Sequence, residues 1–129
     1  MKSKLLIMYL LIYFVSIGNI LAQNAGYSNG YIYKGNNFSI YGKCDFNYSL
    51  TSEGDYTTIC NYEVINKTNK YMVVSFRLVM PCGGGTQTVT KRISAYDSAF
   101  DYFHSGNMSC KGDPDYIGVD NIEVKLYDK

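Results

Sequence analysis

The chain has no tryptophan and a single histidine, His104. That imidazole sits on a polar stretch beside Phe103, and no Gly-x-Ser-x-Gly elbow accompanies it. A Ser–His or Cys–His nucleophile system is therefore not expected, because the nucleophile needs an adjacent base. Charge of one sign is also missing, with 12 Lys and Arg against 11 Asp and Glu. Such a balance produces no field able to draw in a polyanion, which sets nucleic acid aside as a partner. Long apolar runs are absent too. The one run present, Leu5–Val15, is about eleven residues, well short of the roughly 20 that a spanning helix needs.

The same run has a different reading. Lys2 and Lys4 precede it, and the stretch from Ser16 to Ala22 breaks it with small and polar residues. This is the order of a cleavable export signal, with the cut expected between Ala22 and Gln23. Residues 1–22 are thus assigned as a signal peptide. No Cys follows the cut, so no lipid anchor is expected, and no later segment is long enough to span a bilayer. Loss of Lys2 and Lys4 leaves 10 basic against 11 acidic residues. The expected location is secreted, either extracellular or periplasmic. The bias toward Asn, Lys, Ile and Tyr leans toward a bacterial source.

Cysteine arithmetic agrees with that location. Cys44, Cys60, Cys82 and Cys110 all follow the signal, at successive separations of 16, 22 and 28 residues. A four-thiolate zinc site normally uses pairs two to four residues apart, so two disulfides are the better reading. No metal and no cofactor are expected.

Residues 23–36 are polar and glycine-bearing at their start and read as a loosely ordered N-terminal segment; 37–129 read as one domain. From Phe38 to Tyr48 apolar residues occupy the even positions, and Thr58, Cys60, Tyr62 and Val64 do the same in the next run, from Tyr56 to about Ile65. Period two is the mark of a half-buried strand. If these strands pair antiparallel so that partners sum to 104, both apolar faces fall on one side and Cys44 lies opposite Cys60. Cys82–Cys110 follows by elimination. The alternative, Cys60–Cys110 with Cys44–Cys82, stays open.

Tyr71–Met80 is apolar at every even position and reads as a central strand ended by Pro81. Thr86–Ala95 is a Thr-rich strand near an edge. Phe100, Tyr102 and Phe103 mark a short strand. The last segment changes phase between Val119 and Ile122, which a bulge at Asp120–Asn121 explains. Ser49–Asp55 and Asn66–Lys70 read as turns. No stretch after the signal keeps a helical period.

About seven short strands separated by turns make an all-β, antiparallel β-sandwich. The layout resembles the immunoglobulin or fibronectin-type sandwich at the level of architecture, over roughly Phe38 to Leu126. Two features depart from true immunoglobulin domains: tryptophan is absent, and Met108 stands two residues before the last Cys, where those domains place a tyrosine.

Among candidate sites, Asp97 with Asp101 and Asp113 with Asp115 and Asp120 are local acid groups. Neither has the apolar setting of a glycosidase pair or the spacing of a twelve-residue calcium loop. No enzymatic activity is expected. Asn37, Asn47, Asn66 and Asn107 each open an Asn-x-Ser/Thr sequon, which would carry glycans on turns in a glycosylating host. Tyrosine stands out, with 14 in the chain. Tyr62 and Tyr102 are assigned to the core. Tyr33, Tyr41 and Tyr71 are assigned outward, as a recognition surface for a protein or glycan. The expected function is a secreted binding or structural module. The alternative is an inhibitor or immunity-type protein using the Cys82–Thr86 loop as a plug, and a small hydrolase is a third class.

Overall fold

The computed structural model describes residues 25–48, 56–110 and 113–128. The signal assignment over 1–22 and the turn expected at Ser49–Asp55 lie outside the described residues. Among the described residues seven strands form two antiparallel sheets: β1 (Ala25–Lys34), β2 (Phe38–Tyr48), β3 (Tyr56–Asn66), β4 (Tyr71–Val79), β5 (Thr86–Ile93), β6 (Ser98–His104) and β7 (Gly118–Tyr127). The first sheet runs β1-β2-β3-β6 and the second β5-β4-β7. Among the described residues no helix is long and apolar enough to cross a membrane.

The expected hairpin is present with its register. Phe38 pairs with Asn66, Gly42 with Tyr62 and Cys44 with Cys60, so partners sum to 104 throughout. Even positions of both strands turn inward because only that register seals both apolar faces on one side. At Gly42 a side chain would intrude. A Cβ there would stand 2.7 Å from Ile32 Cδ1 and 3.2 Å from Cys60 Sγ.

The core lies between the sheets. Ile40, Phe46, Tyr62 and Val64 from the first meet Met72, Val74, Phe76, Leu78, Val89 and Ile93 from the second. Phe38 and Phe76 stack across the layers at 6.1 Å. Truncating either ring to Ala is expected to cost about 3–5 kcal/mol. Met108 is fully buried as well and caps one end of this core. It exchanges two backbone hydrogen bonds with Tyr56, at 3.0 and 2.9 Å.

Both expected disulfides are formed, Cys44–Cys60, expected from the hairpin register, within the first sheet and Cys82–Cys110, expected by elimination, between loops. The second ties the β4–β5 turn to the segment after β6, and so links the two sheets at one end. The layers match the expected sandwich, but the connections differ from an immunoglobulin domain. There the first, second, fourth and fifth strands share a sheet; here the first, second, third and sixth do.

Two local readings change. The segment expected to be loosely ordered over 23–36 is strand from Ala25 to Lys34, hydrogen-bonded to β2. A bulge at Ile32 hides its alternation: Tyr31 pairs with Tyr41, and Tyr33 already pairs with Ile40. Ile32 and Tyr33 both pack against the core in consequence. In β6 the phase is opposite to that expected. Phe103 is buried, whereas Tyr102 is 60% exposed and Phe100 73%. Tyr102 is therefore not a core residue.

The bulge expected in β7 is present. Ser75 pairs with Glu123 and Arg77 with Asp120, one residue out of step. Asn121 takes up the slack at φ 52°, a left-handed conformation that Asn tolerates better than most residues. Arg77 anchors the bulge by a two-pronged ion pair to Asp120, with Nε and Nη2 donating at 2.7 and 2.6 Å. That pairing holds the Asp120 carboxyl below its ordinary range.

Candidate recognition face

The outer face of the first sheet collects the exposed aromatics. Strand pairing places Tyr31, Tyr41, Glu63 and Phe100 in one row across β1, β2, β3 and β6. The next row is Asn29, Lys43, Asn61 and Tyr102. Because side chains alternate across a strand, all eight project from the side opposite the core. Tyr31 meets Tyr41 edge-on at 5.1 Å, and Lys34 Nζ lies 4.6 Å from the centre of the Tyr31 ring. These contacts hold the Tyr31 ring in place.

Two shallow hollows of about 320 Å³ each open on this sheet. Tyr41, Lys43, Asn61, Glu63 and Phe100 contribute to one, and Tyr31, Lys34, Ser39, Ile65 and Lys67 line the other. Aromatic rings beside amide, ammonium and carboxylate groups offer both apolar contact and directed hydrogen bonds.

The three tyrosines singled out from sequence are not brought together. Tyr41 belongs to this face. Tyr33 turns inward against Phe38, with ring centres 4.9 Å apart. Tyr71 lies on β4 in the other sheet, where its ring meets Tyr127. Phe100 and Tyr102 were missed as surface residues because their strand was read in the wrong phase. The signal that points to them is Phe103, which is buried and sets the odd phase inward, while the inward Asp101 between them disguises it.

Asp101 is the centre of a polar cluster where β5 faces β6. Lys91 Nζ lies 2.7 Å from Asp101 Oδ2. The Tyr62 hydroxyl donates to Gln87 Oε1 at 3.2 Å, and Gln87 Nε2 donates to the Tyr102 carbonyl at 3.3 Å. The hydrogen bond from Lys91 holds the Asp101 carboxyl below its ordinary range. Burial pushes the Tyr62 phenol well above its usual value, with the Asp101 carboxylate beside it adding to the rise. The cluster clamps the two sheets along this side.

The other candidates resolve into structural roles. Asp113 Oδ1 accepts from Asp115 N at 2.7 Å and caps a short 3-10 turn, Pro114–Tyr116, while Asp120 is engaged by Arg77. Asp97 Oδ1 accepts from its neighbour Ser98 N. Among the described residues no group of three His, Cys, Asp or Glu is arranged to hold a metal. His104 is exposed at the end of β6.

The Cys82–Thr86 loop is firmly tied. Gly84 N donates to the Pro81 carbonyl, Gly106 N to the Gly84 carbonyl, and Ser109 N to the Cys82 carbonyl. Gly84 is buried against Met80 and Met108. The loop borders a hollow of about 410 Å³ shared with Tyr102, Phe103 and His104.

The chain matches no family model, no curated protein and no solved structure.

Proposed function

We propose that this chain is a non-enzymatic binding module exported to an oxidising space, and that it recognises a protein or glycan through the outer face of its first sheet. The observation that carries this reading is the exposure of Phe100, in line with Tyr31 and Tyr41 across four strands, and of Tyr102 in the adjacent row. Large aromatics left open to solvent on one face are costly unless something covers them, and they are favoured where recognition occurs. The two disulfides and the signal-like residues 1–22 support export.

The test is capture of partners from culture medium and on a glycan array with the disulfide-bonded chain. Phe100→Ala with Tyr102→Ala should reduce bound material by about tenfold or more, as loss of central aromatic anchors does. Tyr71→Ala, on the opposite sheet, should leave capture unchanged. Equal capture by all variants would reject this face.

A second reading rests on the stapled loop. Its pinned backbone beside a hollow suits an inhibitor that inserts a rigid loop into a foreign enzyme. Inhibition that survives Thr86→Arg, on the exposed rim, would reject the plug.

A further inference from the structure

The last strand carries an unpaired edge whose residues complement themselves. β7 pairs with β4 on one side and, among the described residues, with no strand on the other. Beyond its bulge, Val124 and Leu126 lie on the core-facing side, opposite Val74 and Met72, and Ile122 shares their phase. The first sheet does not cover them fully: Ile122 is 38% exposed and Leu126 39%. Glu123 and Lys125 alternate with them on the outer side, opposite Ser75 and Val73.

We propose that β7 is a self-association edge, on which a second copy of this chain lays its own β7 antiparallel about Val124. Register decides the matter. Centred on Val124, Glu123 of each copy faces Lys125 of the other, Ile122 faces Leu126, and Val124 faces its counterpart. Centring on Glu123 sets two carboxylates opposite each other, and centring on Lys125 sets two ammonium groups opposite each other. Like charges directly opposed are destabilising, whereas opposite charges and apolar pairs stabilise. A slip by a single residue would turn the apolar set of one copy to the outer side. Only the Val124 register satisfies every pair from Ile122 to Leu126.

The other edges are less suited. β5 and β6 are held to each other across the sandwich by Lys91 and Asp101. The edge of β1 is interrupted by its bulge at Ile32. In the second sheet the joined strands would run β5-β4-β7 and on into the partner's own three, giving one continuous six-stranded sheet. The union is isologous and closes at two copies. Its short paired stretch places it among weak, reversible interfaces, roughly micromolar or weaker.

Sedimentation equilibrium on the disulfide-bonded chain, from about 10 μM to about 1 mM, provides the test. The unaltered chain should pass from monomer to dimer. Glu123→Lys creates facing lysines and Lys125→Glu facing glutamates, so each alone should associate about tenfold more weakly or worse. An equimolar mixture of those two variants restores opposite charges in every facing pair. It should therefore associate about as strongly as the original chain, as a heterodimer. A chain that stays monomeric over the whole range overturns the proposal without any variant. Single variants that associate like the original, or a mixture of folded variants that does not recover, overturn it equally.

Discussion

The Asn66 side-chain nitrogen, on β3, donates to the Ile93 carbonyl at the end of β5, 3.1 Å away, and so binds the first sheet to the second. The same nitrogen lies within hydrogen-bond distance of the carbonyls of Lys70 and Ser94, at 2.8 and 3.0 Å. The Asn66 carbonyl oxygen accepts from the Thr68 amide and hydroxyl, at 2.9 and 2.7 Å. One side chain, 1% exposed, organises the β3–β4 turn and the exit from β5 together. Asn66→Ala strands several of these groups without partners. It should destabilise the fold by about 3 kcal/mol and lower the melting temperature by roughly 10–20 °C. Asn66→Asp should cost at least as much at neutral pH, because it sets a carboxylate against three carbonyls. Thermal melts of the two variants check this.

The same burial decides which sequons can carry sugar. Asn37 and Asn107 are exposed, whereas Asn66 has its amide engaged inside the fold. A glycan on Asn66 Nδ2 would replace one of its two N–H donors and would not fit inside the core. The expectation that all four sequons are equivalent turn sites is therefore wrong for Asn66. Asn47 has its side chain outside the described residues. Glycopeptide mapping after secretion from a glycosylating host should find Asn37 and Asn107 occupied and Asn66 bare in folded material.

Stability should fall at both ends of the pH scale through one cluster. Asp101 has its pKa depressed in the fold by Lys91, so its contribution is complete above the ordinary aspartate value, about 4. It is lost as pH falls below that toward the lower folded value. Tyr62 has its pKa raised by burial and by Asp101. Its contribution is complete below the ordinary tyrosine value, about 10, and is lost as pH rises above it. Asp101→Asn should flatten the acid limb of a stability–pH curve, and Tyr62→Phe the alkaline limb. Denaturant midpoints measured from pH 2 to pH 11 separate the two.

Much of the fold was legible because period-two patterning is strict where a strand is central. Among the described side chains, β2, β3 and β4 have every inward position apolar or a disulfide cysteine, save Gly42, Thr58 and Asn66, so phase, register and the Cys44–Cys60 bridge could be read together. The β7 bulge was legible because it broke the phase of an otherwise clean pattern. β1 escaped because its bulge at Ile32 sets two adjacent residues inward, which erases alternation. β6 escaped because its inward residue Asp101 is polar and is satisfied by Lys91 on another sheet, a partner no local window contains. The proposed face was half legible for the same reason: Tyr41 lies on a clean strand, and Phe100 and Tyr102 lie on the one whose phase was disguised.

Replacing Cys82 and Cys110 together by Ala opens a covalent loop with a separation of 28 residues. Loop-closure entropy sets the loss at about 3–4 kcal/mol. The effect should be local in character. Hydrogen exchange should quicken at Gly84, Gly106 and Ser109, whose amides are held by the carbonyls of Pro81, Gly84 and Cys82. Amides in the β2–β3 ladder should keep their relative protection. If the outer face of the first sheet is the recognition surface, partner capture should persist in this variant at temperatures where it remains folded; if the stapled loop is the plug, capture should fail.

Among the described residues, Thr58 is the one place where a buried side-chain polar atom lacks a hydrogen-bond partner. Its amide donates to Ser105 Oγ at 2.9 Å, and its carbonyl accepts from the Ser105 amide at 2.9 Å. Its hydroxyl, however, is buried with no hydrogen-bond partner among the described residues. An unmatched buried hydroxyl carries a desolvation penalty of about 1–3 kcal/mol. Thr58→Val keeps the shape and the β-branched preference for strand, removes the penalty, and leaves both Ser105 contacts with the backbone intact. It should raise stability by about 1 kcal/mol, or a few degrees in melting temperature. Ser105→Ala should do the opposite, since it deprives the Thr58 amide of its acceptor. Melting both variants side by side distinguishes a hydroxyl that is merely enclosed from one that the fold uses, and a destabilised Thr58→Val would mean the hydroxyl is used.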